Sequence, residues 1–370
     1  MNRLAVILCA LFIISACSQS KDEAKQTQIA GLTSTASYLN QANTAIAESW
    51  TKTPTLTSTP TPSFTPTSTV TITPTATPDL TTLGKPEKPF TARWKKPTYN
   101  EKDFDIIQKS IHGRIITIAW EKEANIPETK RNEISNFYFQ TFINWWSIFQ
   151  GFPYDSYTVV FKKIGNNRGE KGIGYEATAS QYAQVLDGGL RERISHEVFH
   201  AWVENALCVT QERKFDDGLW FREGITQYYG DRGAGKSAFN DWIQDHWRTY
   251  KDEIQGTQYD IPLVDMPAKG KELGESPSGN NRHYILNVYW KGALVAYLMD
   301  ERLIKGGLNL DDFLRYMYEK YTLKQRCFTT KDTIQALNEI SGENWIDFFN
   351  AYIYGTGKLP LNGKFEYLDH

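Results

Sequence analysis

Between Thr51 and Gly84 the chain alternates threonine with proline, as Thr53-Pro54, Thr59-Pro60-Thr61-Pro62, Thr65-Pro66, Thr73-Pro74 and Thr77-Pro78. Proline has no backbone donor for a helix or sheet ladder. Apolar side chains in this stretch are too few to offset the entropy of ordering a core. It is expected to be a disordered but semi-stiff stalk of polyproline II character. Its threonines could also carry O-glycans, on composition alone. A folded domain must therefore lie beyond it, and from about Lys88 the composition turns globular.

The first residues read as an address. Met-Asn-Arg is followed by an apolar run from Leu4 to Ile14 and then Ser15-Ala16-Cys17. One cation before roughly a dozen apolar residues is a secretory signal, too short to span a bilayer comfortably. An uncleaved signal anchor, or a cleaved peptide with an incidental cysteine, are the alternatives. The ending Ile14-Ser15-Ala16-Cys17 resembles the bacterial lipobox, which implies removal of residues 1–16 and lipidation of Cys17. Two acyl chains on one cysteine give stable membrane attachment where a single chain is marginal. The expected layout is a signal peptide at 1–16, a lipidated stalk at 17–87 and a folded domain at 88–370. The expected location is the bacterial cell envelope, outside the cytoplasm. There Cys208 and Cys327 could pair as a disulfide or remain as buried thiols.

Charge and hydropathy exclude several classes. Lys+Arg 41 against Asp+Glu 43 rules out a strongly basic nucleic-acid binder, so no nucleic-acid partner is expected. A mean hydropathy of -0.50 rules out a polytopic membrane protein. Aromatic residues at 14% call for a large core or a substrate-facing aromatic surface. Within the folded part, Arg114–Trp120, Tyr157–Phe161 and Ile173–Thr178 read as strands, and Asn132–Phe149 as a helix with Ile134, Phe137, Tyr138, Phe142 and Trp145 on one period. After Leu190 the period is helical, broken by a loop expected at Tyr259–Gly279. Strands first and helices after predict an α+β fold, with a strand-containing lobe at 88–189 and a helical lobe at 190–370.

The chemistry resides in Arg193-Ile194-Ser195-His196-Glu197-Val198-Phe199-His200-Ala201-Trp202, which contains His-Glu-x-x-His. On a helix, positions i and i+4 share a face, so His196 and His200 can reach one metal ion. Glu197 falls beside them, placed to take a proton from a metal-bound water. A helix-surface coincidence is the alternative. A catalytic zinc wants a third protein ligand, and Glu223 follows in Leu219-Trp220-Phe221-Arg222-Glu223-Gly224-Ile225-Thr226-Gln227-Tyr228 after a hydrophilic loop at Gln211–Asp217. Carboxylates in apolar surroundings are normally paired or metal-bound; a solvated helical glutamate is the competing reading.

His196-Glu197-x-x-His200 followed by Trp220-x-x-Glu223-Gly224-x-x-x-Tyr228 resembles the gluzincin zinc metallopeptidases of the peptidase MA superfamily. Within them the segment is most similar to the glycyl aminopeptidase family, a relative of aminopeptidase N. Tyr289-Trp290-Lys291-Gly292-Ala293 resembles the Tyr-Glu-Lys-Gly segment of those families, and Ser341-Gly342 through Phe348-Phe349, Tyr352, Gly355-Thr356 and Leu359-Pro360 resembles their final helix. The likeness runs from about Gly172 to Leu361. It implies one zinc ion on His196, His200 and Glu223, a peptide or protein substrate, and Glu197 as general base. It also makes Tyr289 the donor to the oxyanion, a role worth roughly 3 kcal/mol. His283 and Tyr284 are weaker candidates for that role, and Gln227 is a candidate partner for the histidines.

The sequence departs from these families where a free substrate amine is held. The Gly-x-Met-Glu-Asn motif is missing, and the Gly-Gly-Leu-Glu-His-like segment has as its nearest match Gly174-Tyr175-Glu176-Ala177. Glu176 could bind an α-amino group by charge, or be a solvent-facing strand residue. Exo- and endopeptidase action both stay open. A non-catalytic surface module keeping the peptidase fold, and an envelope hydrolase acting on glycan-linked peptides, are the competing classes.

Other patterns carry less. Gly230-Asp231-Arg232-Gly233-Ala234-Gly235-Lys236-Ser237 matches the phosphate-loop pattern, but that loop needs a preceding strand. The glycines are expected to end one helix and open the next, and no nucleotide partner is expected. Trp145-Trp146 and the pair Trp242 and Trp247 are read as core packing ahead of a sugar platform. Asp300-Glu301-Arg302 and Asp311-Asp312 are read as solvated helix faces or N-terminal turns.

Overall fold

Ile111 and Arg114 face each other across a two-residue turn, His112-Gly113, in which both residues have positive φ (47° and 74°). That twist matches the right-handed twist of the strands it joins. It closes the hairpin of β1 (Phe104–Ile111) and β2 (Arg114–Glu121). The computed structural model describes residues 97–165, 174–203, 207–208, 218–274, 282–324 and 326–369, all within the unit Ala76–His370. The expected signal peptide, Cys17, the expected stalk with its boundary to the domain, and the hydrophilic loop at Gln211–Asp217 lie outside the described residues. Strand β1 has no counterpart in the sequence expectations. Its middle residues, Gln108, Lys109 and Ser110, are exposed, so it lacks the continuous apolar run of β2.

The sheet has the order β1-β2-β3-β4, with β3 at Ser156–Lys162 and β4 at Gly174–Thr178. β1 and β2 are antiparallel, whereas β2–β3 and β3–β4 are parallel, so the sheet is mixed. Parallel neighbours need a long crossover, and α1 (Glu128–Phe149) supplies it between β2 and β3. α1 begins four residues before the expected Asn132 and ends at Gln150, which is left-handed (φ 51°). Its apolar stripe lies on the sheet: Phe142 meets Phe152, Tyr157 and Trp202 at 5.0, 6.0 and 4.9 Å between ring centres. The Trp120 ring is stacked 4.0 Å from Phe161, and its indole N–H donates to the Ser135 hydroxyl.

Helices build the remainder: α2 (Gly188–Val203), α3 (Thr226–Gly233), α4 (Lys236–Thr249), α5 (Met266–Glu272), α6 (Gly292–Lys305), α7 (Leu310–Met317), α8 (Thr330–Ser341) and α9 (Ile346–Tyr352). Wider π-type turns at Trp220–Ile225 and Leu286–Lys291 lead directly into α3 and α6. The fold is α+β, as expected. One apolar core joins Trp120 and Phe161 of the sheet to Phe199, Trp202, Tyr229, Leu294 and Phe349 of the helices. Among the described residues, no helix is long and apolar enough to cross a membrane.

Two expectations change here, and the expected placement of the phosphate-loop glycines holds. The loop foreseen at Tyr259–Gly279 contains α5, with proline in its first turn, a position where the missing N–H costs nothing. The glycines of the phosphate-loop pattern lie in α3 and at the start of α4, where Gly235 (φ 98°) separates the helices, so helix rather than strand precedes them. Asp300 is not solvated but fully buried, accepting from the Tyr228 hydroxyl (2.5 Å) and the Leu310 amide (2.9 Å). Its partner Tyr228 lies 72 residues earlier, which a helical period cannot reveal. Asp311 and Asp312 do lie in the first turn of α7, where Asp312 and Asn309 form a capping box. Trp145 is core and Trp146 its half-buried rim, stacked 4.7 Å from His112.

Cys208 and Cys327 are joined, with Cα atoms 4.6 Å apart, and the Phe328 amide donates to the Cys208 carbonyl. The bond spans 119 residues of chain and closes the α6–α8 region onto the segment that leaves α2. Cross-links of long loops typically stabilise by about 2–4 kcal/mol, chiefly by restricting the unfolded chain. Cys327→Ser should therefore lower the unfolding free energy by about that amount in urea titrations. An unchanged midpoint would count against the cross-link.

Candidate metal centre

Helix α2 opens on Asp187, whose carboxylate accepts from the Leu190 amide (2.9 Å), and brings His196 and His200 one turn apart onto a buried face. Their Nε2 atoms are 3.1 Å apart. The Glu223 Oε2 atom is 3.4 Å from His200 Nε2 and 3.7 Å from His196 Nε2. The three residues are 8%, 6% and 5% exposed. Among the described residues these three form the one group of nitrogen, sulfur and carboxylate donors that could hold a metal ion.

The spacing fits zinc. Bonds of about 2.0–2.1 Å in a tetrahedron separate neighbouring ligand atoms by about 3.3–3.4 Å, close to the three distances found. The charges agree. Burial alone would pull the His196 imidazole down, but its hydrogen bond to Glu223 and the charges of Glu197, Glu192 and Glu223 push it up to about 9. The neighbouring carboxylates thus favour positive charge at this site.

Glycines allow the approach of the elements. A Cβ on Gly224 would lie 2.7 Å from the Gly292 Cα, and one on Gly292 would lie 2.7 Å from the Gly224 Cα. The π turn bearing Glu223 therefore crosses the start of α6 with the two backbones touching. A Cβ on Gly230 would lie 3.0 Å from the His196 Cβ, and one on Gly233 would overlap Ser195. α3 is thereby seated directly on α2, with the Phe199 and Tyr229 rings stacked at 4.3 Å. The glycines of the phosphate-loop pattern thus serve helix contact.

Tyr289 joins the group from the second π turn. Its ring lies 6.0 Å from the His196 ring, inclined by 20°, and its hydroxyl is hydrogen-bonded to Glu223. Burial, then the charge of Glu223, raises the phenol well above its ordinary range, so it stays protonated and able to donate. Glu197 is half-buried beside the histidines. Around it stand four tyrosines that sequence reasoning passed over. The Tyr157 hydroxyl donates to the Glu197 carbonyl (3.5 Å), and Tyr175 and Tyr182 share a hydrogen bond of 2.6 Å. Burial first, and the Glu197 charge among the further causes, raise the phenols of Tyr138, Tyr157, Tyr175 and Tyr182. They come from α1, β3, β4 and the turn Ala179–Tyr182, and no sequence signal placed them around Glu197.

The structure does not bring Glu176 to this group. Side chains alternate along a strand, and Tyr175 and Ala177 belong to the main core facing α2. Glu176 is aligned with Val160, which belongs to a smaller cluster with Phe104 and Ala119. There it pairs with Lys162 at 2.6 Å. Gln227 does not bond a histidine either; its amide donates to Glu192 and Asp231, both at 2.9 Å. His283 is stacked on Tyr259 at 3.6 Å, and Tyr284 packs with Ile261, Met266 and Val288.

The sequence matches no protein-family model and no curated protein. Solved structures do match the fold. An aminopeptidase N family protein from Idiomarina loihiensis aligns over 70% of this chain and 48% of its own, with a TM-score of 0.52 and 19% identity. A point mutant of an M1 zinc metallopeptidase from Deinococcus radiodurans, bound to a Tyr-Ser-Ala substrate, aligns over 70% of this chain and 54% of its own, with a TM-score of 0.49 and 13% identity. The chain spans about half the length of these proteins.

The glycine crossing can be tested directly. Gly224→Ala should destabilise the fold by about 1–3 kcal/mol, as overpacking does, and weaken zinc binding in a competitive chelator titration. Wild-type zinc affinity in a folded Gly224→Ala protein would show that the touching backbones do not place Glu223.

Proposed function

We propose that this chain is a zinc-dependent metallopeptidase, held at the cell envelope by a lipidated Cys17 and the Thr–Pro stalk. The observation that carries this reading is the convergence of His196 Nε2, His200 Nε2 and Glu223 Oε2 at 3.1–3.7 Å, with Glu197 and Tyr289 at their side. The fold shared with an aminopeptidase N family protein supports it. Zinc, when held by these three side chains, supplies Lewis acidity that polarises a carbonyl and lowers the pKa of water.

The remaining work belongs to the protein. Glu197 accepts a proton from the attacking water and passes it to the leaving amine, with the backbone beneath it fastened by Tyr157. Tyr289, protonated because burial and Glu223 hold it so, donates to the oxyanion as the carbonyl becomes tetrahedral. The aromatic residues packed around α2 keep bulk water from competing for these charges. The substrate is a peptide or protein reached from the end of the tether.

Purified domain should carry one zinc per chain by metal analysis and lose peptidase activity on chelation. Glu197→Gln should lower kcat by roughly 100- to 10,000-fold, in the range of general-base loss, with zinc content retained. Tyr289→Phe should lower kcat roughly 100- to 1,000-fold, as loss of an oxyanion donor does. A zinc-loaded Glu197→Gln protein as active as wild type would end the catalytic reading and leave a binding module in its place.

A further inference from the structure

A buried polar chain runs behind the metal centre and touches every helical element that supplies it. Glu192, one turn before His196 on α2, accepts from the Gln227 amide at 2.9 Å. The same amide nitrogen donates to Asp231 Oδ1 at 2.9 Å, and Asp231 Oδ2 meets His246 Nε2 at 3.1 Å. Gln227 and Asp231 lie one and two turns beyond Glu223 on the same helical run, and His246 lies on α4. Asp231 is fully buried and His246 is 1% exposed. The His246 ring is stacked on Trp290 at 4.7 Å, inclined by 25°. Trp290 directly follows Tyr289.

The hydrogen bonds of a π turn enclose one residue more than those of the α-helix it interrupts, which shifts the direction of its side chains, and outside contacts fix where they point. The turn Leu286–Lys291 receives two, on consecutive residues. Lys291 is fully buried, with Nζ 2.9 Å from Asp260 Oδ1 and 3.2 Å from the Ile261 carbonyl. Trp290 has its face on His246, whose own orientation is held by Asp231. The proposed chemistry uses neither Asp231 nor His246, yet burying a charged and a titratable group carries a desolvation cost that must be offset by their mutual bond.

We propose that Asp231 and His246 are positioning residues for Tyr289, fixing it against the Glu223 helix through Trp290. This rests on the reading of Tyr289 as oxyanion donor. Misplacing a reacting group by about 1 Å can cost about 100-fold in rate, so His246→Ala should lower kcat by about 10- to 100-fold. KM should stay within about twofold and zinc affinity unchanged, because the ligands themselves are not moved. His246→Gln, whose amide can still donate to Asp231, should recover part of the loss. Residues acting through one another are non-additive; on a Tyr289→Phe background, His246→Ala should therefore cost less than about twofold more.

A readout free of activity accompanies these. With 3-fluorotyrosine at position 289 of the zinc-loaded protein, His246→Ala and the isosteric Asp231→Asn should each shift the fluorine resonance. Losses that multiply on the Tyr289→Phe background, or a resonance unmoved in both variants, would overturn the proposal. Should Glu197→Gln retain full activity, the peptidase reading fails on its own, and the fluorine resonance alone decides whether this chain positions Tyr289.

Discussion

Everything at the candidate metal centre depends on two backbones being able to touch. Gly224 and Gly292 bring the turn carrying Glu223 against the end of the turn carrying Tyr289, and a single added carbon on either would overlap the other. Helices ordinarily pack with axes 8–10 Å apart because side chains intervene. Removing those side chains at one crossing lets a carboxylate and a phenol from separate helices share one small volume. Gly230 and Gly233 do the same between α3 and α2, so that Glu223 approaches the histidines from a helix seated on theirs.

Such closeness creates an electrostatic problem as well as a site. Glu192, Glu197 and Glu223 all act on His196, in surroundings that penalise any uncompensated charge. Those carboxylates make the His196 imidazole hold its proton more tightly. A divalent cation held there would relieve the same imbalance and satisfy the converging lone pairs. Behind the centre, the buried pairs Asp231–His246 and Asp260–Lys291 distribute further charge so that each carboxylate has a partner. Buried pairs of this kind contribute little net stability and are better understood as fixing geometry.

Much of this was legible in the chain. His196 and His200 could be paired because a helix places i and i+4 on one face whatever surrounds it. Glu223 and Tyr289 were legible through the residues beside them, including the glycines whose purpose is the crossing. Strands β2 and β3 announced themselves by β-branched runs, whereas β1, an edge with exposed polar residues, did not. Glu176 misled because charge type says nothing about which face of a strand a residue takes; alignment with Val160 decides that. Asp300 misled because its partner Tyr228 is distant in sequence.

The amino-acid sequence by itself determined the donor types, the helical spacing of the two histidines, the α+β order of elements and the point at which a core becomes possible. Those properties are local, set by backbone geometry, turn chemistry and composition. Tertiary structure alone decided which tyrosines surround Glu197, that Cys208 meets Cys327, and that Gln227 serves Glu192 and Asp231 rather than a histidine. Those are contacts between segments tens of residues apart, and no periodicity encodes the packing of one helix face on another.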